Sequence, residues 1–230
     1  RDYKVEVLVP TYKRPEYTKK CIEALEKVKT TPSTRFWLWD DCSEDGTIDI
    51  LNAAKLENKI VVSNKHNQGL RHVIVDFFSD YRVRNCADFV AKVDNDCVVP
   101  DNCLFDILEV FERSNPDILS PNVYPSNAAF KLGEPDMDNK GYMRTNTVGG
   151  LWVMKASMLE GINFEQHDVL GIRAAYNILY QIIINHDPVV GWVPNVTVQD
   201  IGHYSGLHPE HIKSEAHLEY SREVGRGIAW

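Results

Sequence analysis

Phe89-Val90-Ala91-Lys92-Val93-Asp94-Asn95-Asp96-Cys97-Val98-Val99-Pro100 decides the reading of this chain, because an apolar β-like run ends by delivering two carboxylates one residue apart. Side chains of a strand alternate faces with a period of two, so Asp94 and Asp96 are expected to point the same way. Carboxylates held side by side repel unless a cation sits near them, and hard ions such as Mg²⁺ or Mn²⁺ take oxygen ligands. The pair asks for a metal. A second Asp-x-Asp, Asp136-Met137-Asp138, follows no strand and reads as a solvated loop. The first pair differs in its place after a β-like run, where open α/β sheets put their ligands.

Upstream, β-like and α-like segments alternate. Val5 to Pro10 is a short Val-rich run, and Arg14 to Lys29 carries Cys21, Ile22, Leu25 and Val28 at helical spacing behind Pro15. Phe36-Trp37-Leu38-Trp39 repeats the strand signal and ends in Asp40-Asp41, followed by the turn Ser43-Glu44-Asp45-Gly46 and a helix from Thr47 to Leu56. Ile60-Val61-Val62 is a third strand, Leu70 to Tyr81 a third helix and Phe89 to Val93 a fourth strand. Strands separated by helices pair in parallel through right-handed crossovers, so the expected fold is a three-layer α/β/α sandwich on a mostly parallel sheet. The Pro- and Asn-rich passage from Asn115 to Asp138 leaves this pattern, and periodicity does not place its strands.

The chain has 230 residues, 43% of them hydrophobic, enough for a real core in one domain. The formal net charge of -8 gives no whole-molecule positive field for nucleic acid or an anionic membrane. Cys21, Cys42, Cys86, Cys97 and Cys103 are odd in number and form no CxxC pair, so they read as reduced thiols of a cytoplasmic protein rather than a disulfide framework or a zinc site. No stretch reads as a membrane span or a signal peptide. The absence of GxGxxG after a strand argues against a dehydrogenase, and Pro10-Thr11-Tyr12 is not the Gly-rich phosphate loop expected of a nucleotidyltransferase.

Pro10-Thr11, Asp40-Asp41, Asn64 to Gly69 and Asp94-Asn95-Asp96 each follow a β-like run, so they are expected to converge along one edge of the sheet. Polar and turn-forming residues punctuate all loops, which is the bland account of any one of these sites. Their joint occurrence is more specific. Val7-Leu8-Val9-Pro10-Thr11-Tyr12-Lys13-Arg14-Pro15, Trp39-Asp40-Asp41-Cys42-Ser43-Glu44-Asp45-Gly46-Thr47, Asn67-Gln68-Gly69 and Val93-Asp94-Asn95-Asp96 resemble, in order, the motifs of the GT-A nucleotide-sugar glycosyltransferases, particularly inverting family 2. Later, Gly149-Gly150-Leu151-Trp152-Val153-Met154-Lys155 is similar to the acceptor-side strand of such enzymes, and Val193-Pro194 with Gly202-His203 to their late strand and the histidine beyond it.

The resemblance implies roles. Residues 1–102 form the nucleotide-sugar half and 103–230 the acceptor half of one GT-A domain. Pro10, Thr11 and Asp40 hold the nucleoside, Asp40 taking a base N–H such as uracil offers, with Asn67, Gly69, Arg71, Asp94 and Asn95 completing the donor site. Asp96, with Asp94 and His203, holds Mn²⁺ or Mg²⁺ against the diphosphate of a nucleoside diphosphate sugar, where the metal offsets charge on the leaving group. A lone His is also an ordinary surface or core residue, and Arg71 an ordinary helix-face cation.

An inverting displacement needs a carboxylate to take the proton of the acceptor hydroxyl. Phe164-Glu165-Gln166-His167-Asp168 stands where the family carries such a group, making Asp168 the first candidate base and Glu165 the second, though an Asp at a helix start also serves as a cap. Gly150 and Trp152 are the acceptor-side candidates, Trp152 either as a platform for a sugar ring or as core. The implied reaction is metal-dependent transfer from a UDP-sugar to a glycan or other hydroxyl acceptor. The alternatives are a non-catalytic carbohydrate- or nucleotide-binding protein of the same fold, or an enzyme glycosylating hydroxylated DNA bases, which the acidic balance does not favour.

Overall fold

The computed structural model describes residues 2–124, 141–144, 148–164, 181–182 and 185–202. Its frame is built from strands β1 (Val5–Thr11), β2 (Thr34–Asp40), β3 (Lys59–Ser63) and β4 (Phe89–Val93), with helices α1 (Pro15–Leu25), α2 (Thr47–Ala53), α3 (Leu70–Ser79) and α4 (Tyr81–Cys86) between them. β5 (Cys97–Val98), α5 (Cys103–Ser114), β6 (Ile118–Tyr124), β7 (Met143–Arg144), β8 (Leu151–Lys155), a 3₁₀ turn (Ala156–Leu159) and β9 (Val190–Asp200) follow. The sheet runs β3-β2-β1-β4-β8-β6-β9-β5, with β7 pairing on β9.

The first four strands pair in parallel. β8 is antiparallel to β4 and β6, while β6 and β9 are parallel. All seven residues of β1 are buried, because a parallel strand covered on both faces needs apolar side chains in both directions. Val5, Val7 and Val9 enter one apolar cluster with α1, α2 and α5. Leu8, Trp37, Trp39, Val90 and Trp152 enter a second cluster with Val73, Ile74, Phe77 and Phe78 of α3 and Val83 of α4. The helices therefore form the outer layers of a sandwich, as expected.

The expected single helix from Leu70 to Tyr81 is broken. Asp80 has φ -58° and ψ 133°, ends α3 and caps α4, its carboxylate accepting from Arg82 N at 2.8 Å. The Arg82 side chain also donates to Asp80 at 3.0 and 2.9 Å, and this holds the Asp80 carboxyl below its ordinary value. The expected helix from Arg14 to Lys29 is shorter: Pro15 starts it with the φ that a first helical turn requires, and Leu25 is its last residue.

β1 sits at the switch point of the sheet. β2 and β3 extend to one side of it, whereas β4 starts the other side. Open α/β sheets leave a crevice at such a point, outside the carboxyl ends of the strands.

Candidate functional site

A cavity of about 220 Å³ opens at that crevice, lined by Pro10, Thr11, Tyr12, Arg14, Asp41, Leu70, Val73, Asp94 and Asn95. Pro10 and Thr11 are the last residues of β1, and Asp94-Asn95-Asp96 leave the end of β4. Thr11 is fixed by donating from Oγ1 to Trp39 O at 3.0 Å. Asn95 donates from Nδ2 to Thr18 of α1 at 3.0 Å.

Asp40, the last residue of β2, and Asp41 just after it have different surroundings. Asp40 is 3% exposed, and Ser43 engages both of its carboxylate oxygens, through its hydroxyl and its backbone N–H. Asp41 is the acid that lines the cavity. It also organises the 64–69 loop, accepting from Asn64 Nδ2 at 2.7 Å, Gln68 N at 2.9 Å and Gly69 N at 2.7 Å. Asn67 accepts from the same Gly69 N at 2.9 Å, and Gly69, with φ 84°, leads into α3. Asp41 was not singled out by sequence, and neither was Arg14.

Asp94 and Asp96 each face a cation. Lys92, buried within β4, pairs with Asp94 Oδ1, and Arg14 Nη1 lies 2.8 Å from Asp96 Oδ2. Burial first, then the Asp94 and Asp200 charges, push the Asp96 carboxyl up to about 6 against the opposing effect of Arg14. Buried Cys21 and Cys97 lie just beneath, the Cys21 thiol donating to Asp94 O at 3.6 Å. Desolvation, reinforced by the Asp94 and Asp96 charges, holds both thiols well above their ordinary range, so neither offers a thiolate.

The late half of the chain closes on the acids through β5 and β9, where Cys97 pairs with Asp200 and Val98 with Gln199. Ile201 N donates to Asp96 O at 2.9 Å, and a Cβ at Gly202 would overlap the Asp96 carboxylate. His203 lies outside the described residues, but its chain neighbour Gly202 touches Asp96. Gly150 lies against Asp94: its carbonyl accepts from Asp94 N at 2.8 Å, and a Cβ there would stand 3.0 Å from Asp94 Oδ2. Trp152 is 5% exposed and leans on Phe78, with ring centroids 5.9 Å apart, within the core below the site. Asp168, Glu165 and the Asp136–Asp138 pair lie outside the described residues, as does the side chain of Arg71.

Among the described residues no three His, Cys, Asp or Glu groups are clustered as ligands for a metal ion. The donors present nevertheless fit a hard cation that is completed by further ligands. Asp96 is a half-buried carboxylate that desolvation and then its acid neighbours drive towards protonation, and a cation relieves that crowding.

The model of glycosyl transferase family 2 matches residues 6–177. No curated protein sequence matches the chain. Among solved structures, S. aureus TarS 1-349 superposes with a TM-score of 0.64 at 18% identity, over 85% of this chain and 60% of that one. The same protein in complex with UDP gives a TM-score of 0.62 at 18% identity, again over 85% and 60%. The mannosyltransferase PcManGT from Pyrobaculum calidifontis, in complex with GDP-Man and Mn²⁺, gives 0.69 at 17% identity over 100% of this chain and 66% of that one. This chain thus spans about 60% of the length of TarS 1-349. At these identities the structures speak for the fold, whereas the family match covers well over half the sequence: the chain belongs to glycosyl transferase family 2.

Proposed function

We propose that this protein transfers a sugar from a nucleoside diphosphate donor to a hydroxyl of a glycan acceptor, with inversion at the anomeric carbon and with a divalent cation, Mn²⁺ or Mg²⁺. The observation that carries the reading is the meeting of Asp94 and the Asp96 loop with Pro10, Thr11 and Asp41 at the switch point of the sheet. Complexes named for UDP in TarS and for GDP-Man and Mn²⁺ in PcManGT support a nucleotide-sugar donor and a metal. We favour uridine, and a reaction in the cytoplasm. No helix among the described residues is long and apolar enough to cross a membrane.

Pro10 and Thr11 form the floor of the nucleoside subsite. Asp41, with Asp40 behind it holding Ser43, offers a carboxylate to a base N–H. Asn67 and Gly69 shape the neighbouring loop, and Arg71, in the first turn of α3, is the cation proposed for the diphosphate. Asp94 and Asn95 face the ribose and diphosphate, and Asp96, with Asp94 and His203 as further ligands, holds the cation. When bound, the cation supplies Lewis-acid stabilisation of the departing nucleoside diphosphate. Gly150 lets the acceptor approach Asp94, with Trp152 supporting that strand from below. Asp168, or Glu165 in its place, takes the acceptor proton as the hydroxyl oxygen bonds to the anomeric carbon. The bond to the diphosphate oxygen breaks as that bond forms, its electron pair leaving with the nucleotide.

A panel of nucleotide-sugars, assayed for nucleoside diphosphate release with Mn²⁺, with Mg²⁺ and with chelator, tests the reading. The expected result is metal-dependent release from a UDP-sugar, falling by about a hundredfold or more in Asp96→Ala. Full turnover in chelator, or in Asp96→Ala, overturns it.

A further inference from the structure

The two cations beside the acid pair are held in different ways. Lys92 belongs to β4, is 8% exposed and lies across from Trp152 of β8, so a packed sheet fixes its stem. Arg14 comes from the loop between β1 and α1, where Lys13 and Arg14 have φ of 57° and 60° in the left-handed region that bulky residues seldom occupy. Its side chain is 21% exposed, its guanidinium lies 5.4 Å from the Tyr17 ring centroid, and it lines the cavity assigned to the donor. Asp94 is thus matched by a cation built into the sheet, and Asp96 by one on a long stem at the cavity wall.

We propose that Arg14 is an exchangeable counter-ion of Asp96: it neutralises the acid until a divalent ion arrives, then turns to the diphosphate of the donor. The inference rests on the metal-dependent donor binding proposed above. A divalent ion on Asp96 and a guanidinium 2.8 Å from the same carboxylate repel each other. The diphosphate brings the negative charge that rehouses Arg14, and the planar guanidinium fork matches phosphate oxygens better than it matches a carboxylate already shared with a metal. Metal and nucleotide then bind cooperatively, because each removes an obstacle to the other.

Mn²⁺ titration of the whole chain, read from the electron paramagnetic resonance signal of free Mn²⁺ with and without UDP, tests this in wild type, R14Q, R14M and R14K. The expected result is that R14Q and R14M take up Mn²⁺ alone about tenfold more tightly than wild type, while the further gain supplied by UDP shrinks. R14K keeps the charge and stays close to wild type for Mn²⁺ alone. A purely structural role predicts the opposite sign, since losing the bond to Arg14 would loosen Asp96 and weaken the ion. Equal or weaker Mn²⁺ uptake by whichever uncharged variant retains a cooperative thermal transition overturns the proposal. No uptake by wild type, even with UDP, overturns the donor-binding reading and this inference with it.

Discussion

Glu6 is 6% exposed in β1, accepts from Trp37 Nε1 at 2.6 Å and lies 3.6 Å from Arg35 Nη1. Burial raises its carboxyl above the ordinary value of 4.5, outweighing the hydrogen bond from Trp37 and the charge of Arg35. The folded state therefore holds the proton more tightly than the unfolded one. The cost of ionising Glu6 is fully present above its folded value and vanishes below 4.5. Relative to Glu6→Gln, which never ionises, the wild type should gain stability as pH falls through the window that opens upward from 4.5; urea midpoints of the two proteins across that range check it, and a constant difference refutes it. Gly202 gives a second test at this scale. Gly202→Ala sets a methyl group against the Asp96 side chain, which supplies the three atoms nearest to it. Metal-assisted UDP binding should weaken by about tenfold to a hundredfold while the thermal midpoint barely moves, as calorimetry of both quantities would show. The sequence reading takes Asp40 for the base N–H, whereas the acid that lines the cavity is Asp41; neighbouring residues leave a strand end in opposite directions, and sequence alone does not say which of them faces the cavity.

Between α3 and α4 a single side chain makes the break. Asp80→Ala removes the cap on Arg82 N and the paired bonds to the Arg82 fork, and should cost about 1 kcal/mol, with Asp80→Asn recovering part of it; chemical denaturation of both variants measures this. The sequence pattern ran through that break because Val73, Ile74, Phe77, Phe78 and Val83 keep one apolar face across it, and periodicity reports a face rather than a cap. β1, β2 and β4 were legible because burial on both sides makes each a largely apolar run, and the half-buried edge strand β3 through Ile60-Val61-Val62. Of the later strands, β8 and part of β9 were reached only through the family resemblance, and β5 to β7 not at all. β6 contains Pro121 and β9 contains Pro194, the register between them slips after Pro121, and β5 has two residues, too few to show any period. α5 did leave a usable signal, with Leu104, Ile107, Leu108 and Phe111 at helical spacing and Asn115 in the left-handed region after its end.

At the scale of the whole molecule, the division into a donor half and an acceptor half is not a division into independent folding units. β4 lies between β1 and β8, so removing everything after residue 102 strips one side of its ladder, exposing Val90, Ala91 and Val93 at a new sheet edge. The 2–102 fragment should therefore show no cooperative melting transition and no UDP-dependent stabilisation; a sharp transition by circular dichroism would contradict this. The β5–β9 pairing extends the same dependence to the chemistry, because Cys97 lies opposite Asp200, and Ile201 N donates to Asp96 O, across roughly a hundred intervening residues. A chain leaving the ribosome at 5–20 residues per second exposes Asp94 and Asp96 roughly 5–20 s before the strand that will clasp them exists. Throughout that interval the acids wait in a half-built pocket, so the cation site proposed for them is completed only once β9 has been made.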